Sequence, residues 1–88
     1  MKQLSQLFKA LGDENRLVIL EDIAKGNKCG CTLIHQVNVT QPTLSYHLNQ
    51  LTKAKLTHSK KEGVWRKYTI NNDTIDQMIA FLQSLKQE

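Results

Sequence analysis

Residues 40–51 read TQPTLSYHLNQL, and this stretch decides the predicted fold. Three leucines recur at helical spacing and line one side of it: Leu44, Leu48 and Leu51. Thr40 is suited to cap the start of the helix, and Pro42 fits its first turn, where a missing N–H costs nothing. The rest of the surface carries amides and hydroxyls and almost no charge. The stretch therefore predicts an amphipathic helix with a neutral, polar outer face.

Two further helices are predicted on the N-terminal side of this stretch. The first covers residues 2–11 and stops at Gly12, and Asp13 caps the second, which ends at Gly26 and Asn27. The second helix is expected to direct several apolar residues inward: Leu17, Leu20, Ile23 and Ala24, with Val18 and Ile19 broadening the face. A short helix on residues 33–37 follows and leads to Thr40.

A hairpin and a closing helix are predicted on the C-terminal side. Residues 56–61 and 64–70 have strand-like composition and join at Glu62-Gly63. In the second strand, alternation places Tyr68 and Ile70 in the core and leaves Trp65 partly exposed. A last amphipathic helix begins near Asn72 or Asp73 and carries an apolar stripe: Ile75, Met78, Ile79, Leu82 and Leu85. Helices followed by a hairpin in this order predict a mainly α fold with a β-hairpin wing, the winged helix-turn-helix.

Composition limits the class of protein. The 88 residues are 40% hydrophobic, with no repeat or linker, so residues 1–88 are predicted to form a single domain. No stretch approaches a membrane span and the N-terminus lacks the pattern of a signal peptide, so a cytoplasmic protein without membrane contact is expected. The formal charge of +4 favours a polyanionic partner. No catalytic spacing or Gly-rich phosphate loop is present, which argues against an enzyme.

Two polar surfaces are candidates for nucleic-acid contact. Amides and hydroxyls can read base edges, and the exposed start of the helix at Thr40 suits a phosphate. The hairpin clusters four cations that would grip phosphates: Lys60, Lys61, Arg66 and Lys67. Each surface also has a simpler interpretation, since a polar helix face can be merely solvated and lysines can protect an edge strand from aggregation.

The sequence resembles the ArsR/SmtB family of metal-responsive winged-helix transcriptional repressors. The resemblance is carried by residues 13–20 (DENRLVIL), 40–48 (TQPTLSYHL) and 62–68 (EGVWRKY). It implies that the helix starting at Thr40 reads operator DNA through Gln41, Thr43, Ser45, Tyr46 and His47. It also implies a homodimer on an inverted-repeat operator, joined by the apolar stripes of the first and last helices: Leu4, Leu7 and Leu11 with Ile75, Ile79 and Leu82.

Cys29 and Cys31 are a second candidate site. They are too close in sequence for a useful structural disulfide, because bridging them closes almost no loop, so metal or redox chemistry is expected instead. Residues two apart on a helix point to different sides, so chelation of one ion requires non-helical backbone, which Gly30 makes easy. Lys28 is expected to lower the thiol pKa values. The alternative is that both cysteines are small, partly buried apolar residues.

The resemblance makes arsenic(III) the first choice of inducing ion, with cadmium, antimony and zinc as alternatives and no permanent cofactor. Capture of both sulfurs would shift the short helix and move residues 40–51 out of register. The chain departs from arsenic sensors where Ile34 occupies the position of a third thiol. His35, four residues after Cys31, is expected at the surface, although it could complete a nitrogen/sulfur site. A thiol redox sensor and a protein-interaction module without metal response remain the alternative functions.

Overall fold

The computed structural model describes residues 1–26 and 29–87, and its elements follow the predicted order. These residues form helices and one two-stranded antiparallel sheet: α1 Lys2–Leu11, α2 Glu14–Ala24, α3 Gly30–Leu33, α4 Gln41–Lys53, β1 Thr57–Glu62, β2 Trp65–Ile70 and α5 Asn72–Ser84. The mainly α fold with a β-hairpin wing is confirmed. The short helix predicted on residues 33–37 is misplaced, because α3 starts at Gly30, where Cys29 caps it, and already ends at Leu33; residues 34–37 form turns and a bend. The predicted end of α2 at Asn27 lies outside the described residues.

Side-chain caps fix the starts of the main helices. Asp13 accepts a hydrogen bond from the Arg16 N–H at 3.2 Å, and this bond lowers the pKa of the Asp13 carboxyl because it stabilises the carboxylate. Thr40 caps α4 by accepting from the Thr43 N–H at 3.4 Å. The cap of α5 is Asn71 rather than Asn72 or Asp73. Asn71 also donates to the Lys55 carbonyl, a tertiary contact that periodicity does not reveal.

The core lies where α2, α3 and α4 meet the hairpin. Its members include Ile19, Leu20, Ile23, Leu33, Leu44, Leu48, Leu51, Leu56 and Tyr68. The prediction that Leu17 faces inward is wrong, since its side chain is 52% exposed, and Val18 and Ala24 are exposed as well.

The hairpin pairs Thr57 with Ile70 at its base and Glu62 with Trp65 at its tip. Gly63 and Val64 connect the strands, and Gly63 adopts a φ of 61°, which only glycine enters at little cost. The side chain of Tyr68 is buried, as predicted, and burial raises its pKa. The base of the hairpin is thus anchored in the core, while its tip projects into solvent.

The terminal helices contact each other. The rings of Phe8 in α1 and Phe81 in α5 lie 6.0 Å apart, centroid to centroid. Leu7, which the resemblance places in a dimer-forming stripe, is only 3% exposed and packs in the core of the chain itself. Ile79 and Leu82 on α5 are exposed. Within residues 1–26 and 29–87, no helix is long and apolar enough to cross a membrane.

Candidate nucleic-acid interface and cysteine pair

The start of α4 presents a polar, uncharged surface. Its exposed side chains are Thr40, Gln41, Thr43, Ser45, Tyr46 and Asn49. The hydroxyl of Thr40 donates to the hydroxyl of Thr43 at 3.0 Å, which orders the first turn. Asn49 was not among the predicted contact residues, although it lies one turn after Ser45 on the same helix. This face combines donors, acceptors and one aromatic ring without a competing charge.

His47 does not belong to that surface. Its side chain is 7% exposed and its Nδ1 atom lies 3.4 Å from an Arg16 guanidinium nitrogen. The expectation that His47 lies on the outer face is therefore wrong. The leucine spacing contains the reason, since position 47 falls three residues after Leu44 and four before Leu51 and so shares their face. Arg16, which sequence reasoning did not select, joins α2 to α4 through this contact.

Near the tip of the hairpin, positively charged residues of one strand lie directly across from positively charged residues of the other. Lys60 pairs with Lys67 across the strands, and Lys61 pairs with Arg66. Like charges placed opposite each other destabilise a hairpin unless an anion compensates them. The side chains of these cations form no ion pair with any described residue. The guanidinium of Arg66 donates to the neutral hydroxyl of Ser59 at 3.1 Å. The arrangement fits a surface that meets phosphates.

The structure joins Cys29 and Cys31 as a disulfide, where two thiols were expected. Cys29 has extended backbone, with a φ of −99° and a ψ of 133°, and this brings the two Cα atoms to 5.2 Å, within the range of about 4.4–6.8 Å that a disulfide spans. The backbone therefore leaves helical geometry at Cys29, as chelation of one ion requires. The short loop between the two cysteines means that the disulfide adds little to the stability of the fold, but it does not prevent the disulfide from forming.

The cysteine pair is connected to both candidate DNA-contacting elements. Cys29 forms an isolated antiparallel bridge with Lys67 of β2. Its sulfur accepts from the Cys31 N–H at 3.3 Å and its carbonyl accepts from the Thr32 hydroxyl at 3.0 Å, so Cys29 holds the start of α3. A Cβ at Gly30 would lie 3.9 Å from a methyl group of Leu48, which places α3 directly against α4.

Two sulfurs are the donor set that this site offers. In the part of the chain described here, no group of three or more His, Cys, Asp or Glu side chains could hold a metal ion. His35 is exposed, and Lys28, whose charge was expected to lower the thiol pKa values, lies outside the described residues. A soft ion at Cys29 and Cys31 would therefore need its remaining ligands from elsewhere.

Comparison with known proteins places this geometry in a family. A family model for bacterial regulatory proteins of the arsR family matches residues 13–58. The chain is 39% identical over 85 residues to a helix-turn-helix transcriptional regulator of Methanocaldococcus jannaschii, covering 96% of each protein. It is 36% identical over 81 residues to the arsenical resistance operon repressor of Staphylococcus aureus, covering 92% of this chain and 78% of that one.

A solved structure agrees in fold. A homodimeric winged helix-turn-helix DNA-binding domain from Mycobacterium bovis, described as a possible ArsR-family regulator, superposes with a TM-score of 0.77 at 25% identity, covering 96% of this chain and 78% of that one. The chain therefore belongs to the arsR family of bacterial regulatory proteins, which are DNA-binding transcriptional regulators and not enzymes.

Proposed function

We propose that this chain is a homodimeric repressor that leaves its operator when Cys29 and Cys31 bind a soft ion, arsenic(III) before cadmium, antimony or zinc. The observation that carries the proposal is the meeting of the two sulfurs at one point, on backbone that contacts both β2 and α4. Thiolates prefer soft ions. The arsenical repressor among the relatives adds support for this choice of ion.

The DNA contacts are divided between two surfaces. Gln41, Thr43, Ser45 and Tyr46 would read base edges from the major groove, with Thr40 at the helix start contacting a phosphate. The wing cations would contact flanking phosphates: Lys60, Lys61, Arg66 and Lys67. His47 holds α4 against Arg16 and takes no part in reading. Two copies related by a twofold axis would read an inverted repeat, with exposed Ile79 and Leu82 contributing to the dimer interface.

Two molecules of a small thiol would reduce the disulfide, supplying two electrons and two protons and becoming a disulfide themselves. This gives the ion-binding form, because an ion needs free thiolates. The thiolates of Cys29 and Cys31 would coordinate the ion, which as a soft ion forms strong bonds to sulfur. The sulfur of Cys29 would then be drawn from the Cys31 N–H that it now caps. Because Cys29 also pairs with Lys67, a change at this residue reaches the wing as well as α3 and α4. Release requires only that the ion bind the DNA-incompetent conformation more tightly.

The test is fluorescence anisotropy of a labelled duplex from upstream of the gene, titrated with reduced protein and then with arsenite, cadmium, antimony and zinc. We expect a soft ion to weaken operator binding by about 5–150-fold, the usual range of coupling. Cys29→Ser and Cys31→Ser should each abolish the response and keep the affinity for DNA. Full release of the double serine variant by arsenite would contradict the proposal.

His35→Gln is a matched control for the metal response. His35 is exposed and lies four residues after Cys31, so it is the nearest candidate for an extra nitrogen ligand. If the two sulfurs suffice, the arsenite response of His35→Gln should equal that of the unmodified chain. A zinc or cadmium response that disappears in this variant alone would instead assign His35 as a ligand for those ions.

A thiol redox response is the second candidate, and the disulfide itself favours it. Two thiols would lose two protons and two electrons to peroxide, which becomes two molecules of water. Release by peroxide, reversal by dithiothreitol and no effect of arsenite on the reduced protein would select this function over the first.

A further inference from the structure

A cavity of about 380 Å³ lies between α1, α2 and α4, apart from both the cysteine pair and the wing. Three cations line it, one from each helix: Lys9, Arg16 and Lys53. Gln6 and Gln50 add amide groups and Tyr46 adds a phenol ring. None of the lining residues is acidic. We propose that this cavity binds an oxyanion of the phosphate class.

Charge is the first argument. Three positive side chains line one cavity with no carboxylate among the lining residues, and an anion bound there would offset their mutual repulsion. The Asp13 carboxylate is near Arg16, whose backbone N–H it accepts at 3.2 Å, but Asp13 does not line the cavity. Lys9 and Lys53 form no ion pair with any residue in the described ranges, so their charges remain free for a ligand.

Arg16 supplies the second argument. Its terminal nitrogen contacts His47 at 3.4 Å, but its Nε atom is buried and has no hydrogen-bond partner among the described residues. A buried donor without a partner costs about 1–3 kcal/mol, so such atoms normally have one. An oxyanion is a strong acceptor for a guanidinium, which offers planar, directed N–H groups. Arg16 lines the cavity, so an oxyanion bound there would meet the guanidinium group that carries this unpaired donor.

The position of the cavity suggests where the phosphate could come from. Tyr46, Gln50 and Lys53 recur at intervals of four and three residues, so they follow one stripe along α4 from the exposed polar face into the cavity. Tyr46 is 56% exposed and belongs to both surfaces. A backbone phosphate of bound DNA or a free phosphate group would meet the same chemistry. A DNA phosphate would extend the contact surface of α4 toward α1.

The first arm of the test uses inorganic phosphate and the full reduced chain without DNA. Phosphate is titrated while sodium chloride is adjusted to hold the ionic strength, and the Arg16 Nε–Hε signal is followed by two-dimensional NMR. We expect a saturable shift of this signal. Lys9→Gln and Lys53→Gln should each weaken phosphate binding about fivefold, as for the loss of one exposed ion pair. Both lysines are exposed, so these variants should retain the melting temperature of the unmodified chain.

Lys86→Gln is the control for net charge. Lys86 is exposed, follows the end of α5 and does not line the cavity. Lys86→Gln removes one positive charge, as each of the two cavity variants does. A general electrostatic effect would therefore weaken phosphate binding equally in all three variants.

The second arm measures duplex affinity against salt concentration and rests on the proposed DNA binding, whereas the first arm does not. The salt slope is the slope of the logarithm of duplex affinity against the logarithm of salt concentration. If the ligand is a DNA phosphate, Lys53→Gln should reduce the magnitude of this slope by about one per protomer, and Lys86→Gln should not. A phosphate response with an unchanged slope assigns a free phosphate group as the ligand. If the cavity variants differ from Lys86→Gln in neither arm, the proposal is wrong. If the unmodified chain does not bind duplex DNA at all, the proposed function is wrong. The phosphate titration of the first arm then decides alone whether the cavity binds an oxyanion.

Discussion

The outer face of α4 and the tip of the hairpin are both exposed and polar, yet they differ in charge. The α4 face offers neutral groups such as Gln41 and Thr43, whereas the hairpin opposes Lys60 to Lys67 and Lys61 to Arg66. Neutral donors and acceptors distinguish one base pair from another, while cations attract any phosphate. Under the proposed function, specificity for the operator and general affinity for DNA would therefore lie on separate elements of this small fold.

The largest expected effect comes from removing the support of the α4 face. Leu51 is fully buried on the inner side of α4, so Leu51→Ala should lower the free energy of unfolding by about 2–5 kcal/mol, through lost burial and the cavity left behind. Urea denaturation measures this. Asn49→Ala, on the exposed side of the same helix, should change stability by about 0.5 kcal/mol or less. Equal losses in the two variants would contradict the assignment of the inner and outer faces.

A substitution on the α4 face should affect sequence preference. Gln41→Ala should reduce the preference for operator over random duplex by about 1–3 kcal/mol and leave binding to random duplex nearly unchanged. Competition anisotropy with the two duplexes measures the difference. Gln87→Ala removes the same amide from an exposed position near the C-terminus and serves as the control. Equal weakening of both duplexes by Gln41→Ala would show that α4 contributes only general affinity.

Substitutions in the wing should have the opposite signature. The double variant Lys60→Gln, Lys61→Gln should weaken binding to operator and random duplex alike and lower the salt slope by about two per protomer. Anisotropy at several salt concentrations gives the slope. A selective loss of operator binding, with the slope intact, would remove the distinction between the two surfaces.

The smallest expected effect concerns Asp13, which caps the helix that carries Arg16 toward α4. Asp13→Ala should cost about 1 kcal/mol of stability at neutral pH. The pKa of Asp13 is lower in the folded chain than in the unfolded chain. Its contribution is therefore present above the unfolded value, near 3.8, and is lost as the pH falls through the folded value. The difference in stability between the two proteins should shrink as the pH is lowered from 7 to 3, as denaturation curves can measure; a constant difference would contradict this role.

Local patterns predicted most of the fold, and tertiary contacts explain the errors. The caps at Asp13 and Thr40 depend on neighbouring residues and were predicted correctly. The hairpin was predicted as well, but its turn lies one residue later than expected, at Gly63 and Val64 instead of Glu62 and Gly63. Leu7 and Leu17 were misplaced because amphipathicity shows that a helix has an apolar face, but not how much of that face its neighbours cover.

The candidate site was predictable to a smaller extent for the same reason. Exposure of Gln41, Thr43 and Tyr46 follows from the leucine spacing, and the same spacing could have placed His47 inside. The contact of His47 with Arg16 and the bridge of Cys29 to Lys67 join residues far apart in sequence. No local pattern encodes those pairings, which depend on how the helices and the hairpin pack.

If the cysteine pair and the DNA-binding surfaces are coupled, arsenite and operator must weaken each other's binding by the same factor. The affinity of the reduced protein for arsenite should be measured by calorimetry with and without saturating operator. The account predicts that operator weakens arsenite binding by the same factor, within about 5–150-fold, by which arsenite weakens operator binding, and that both factors vanish in the double serine variant. Equal arsenite affinities in the free and operator-bound protein would contradict the account.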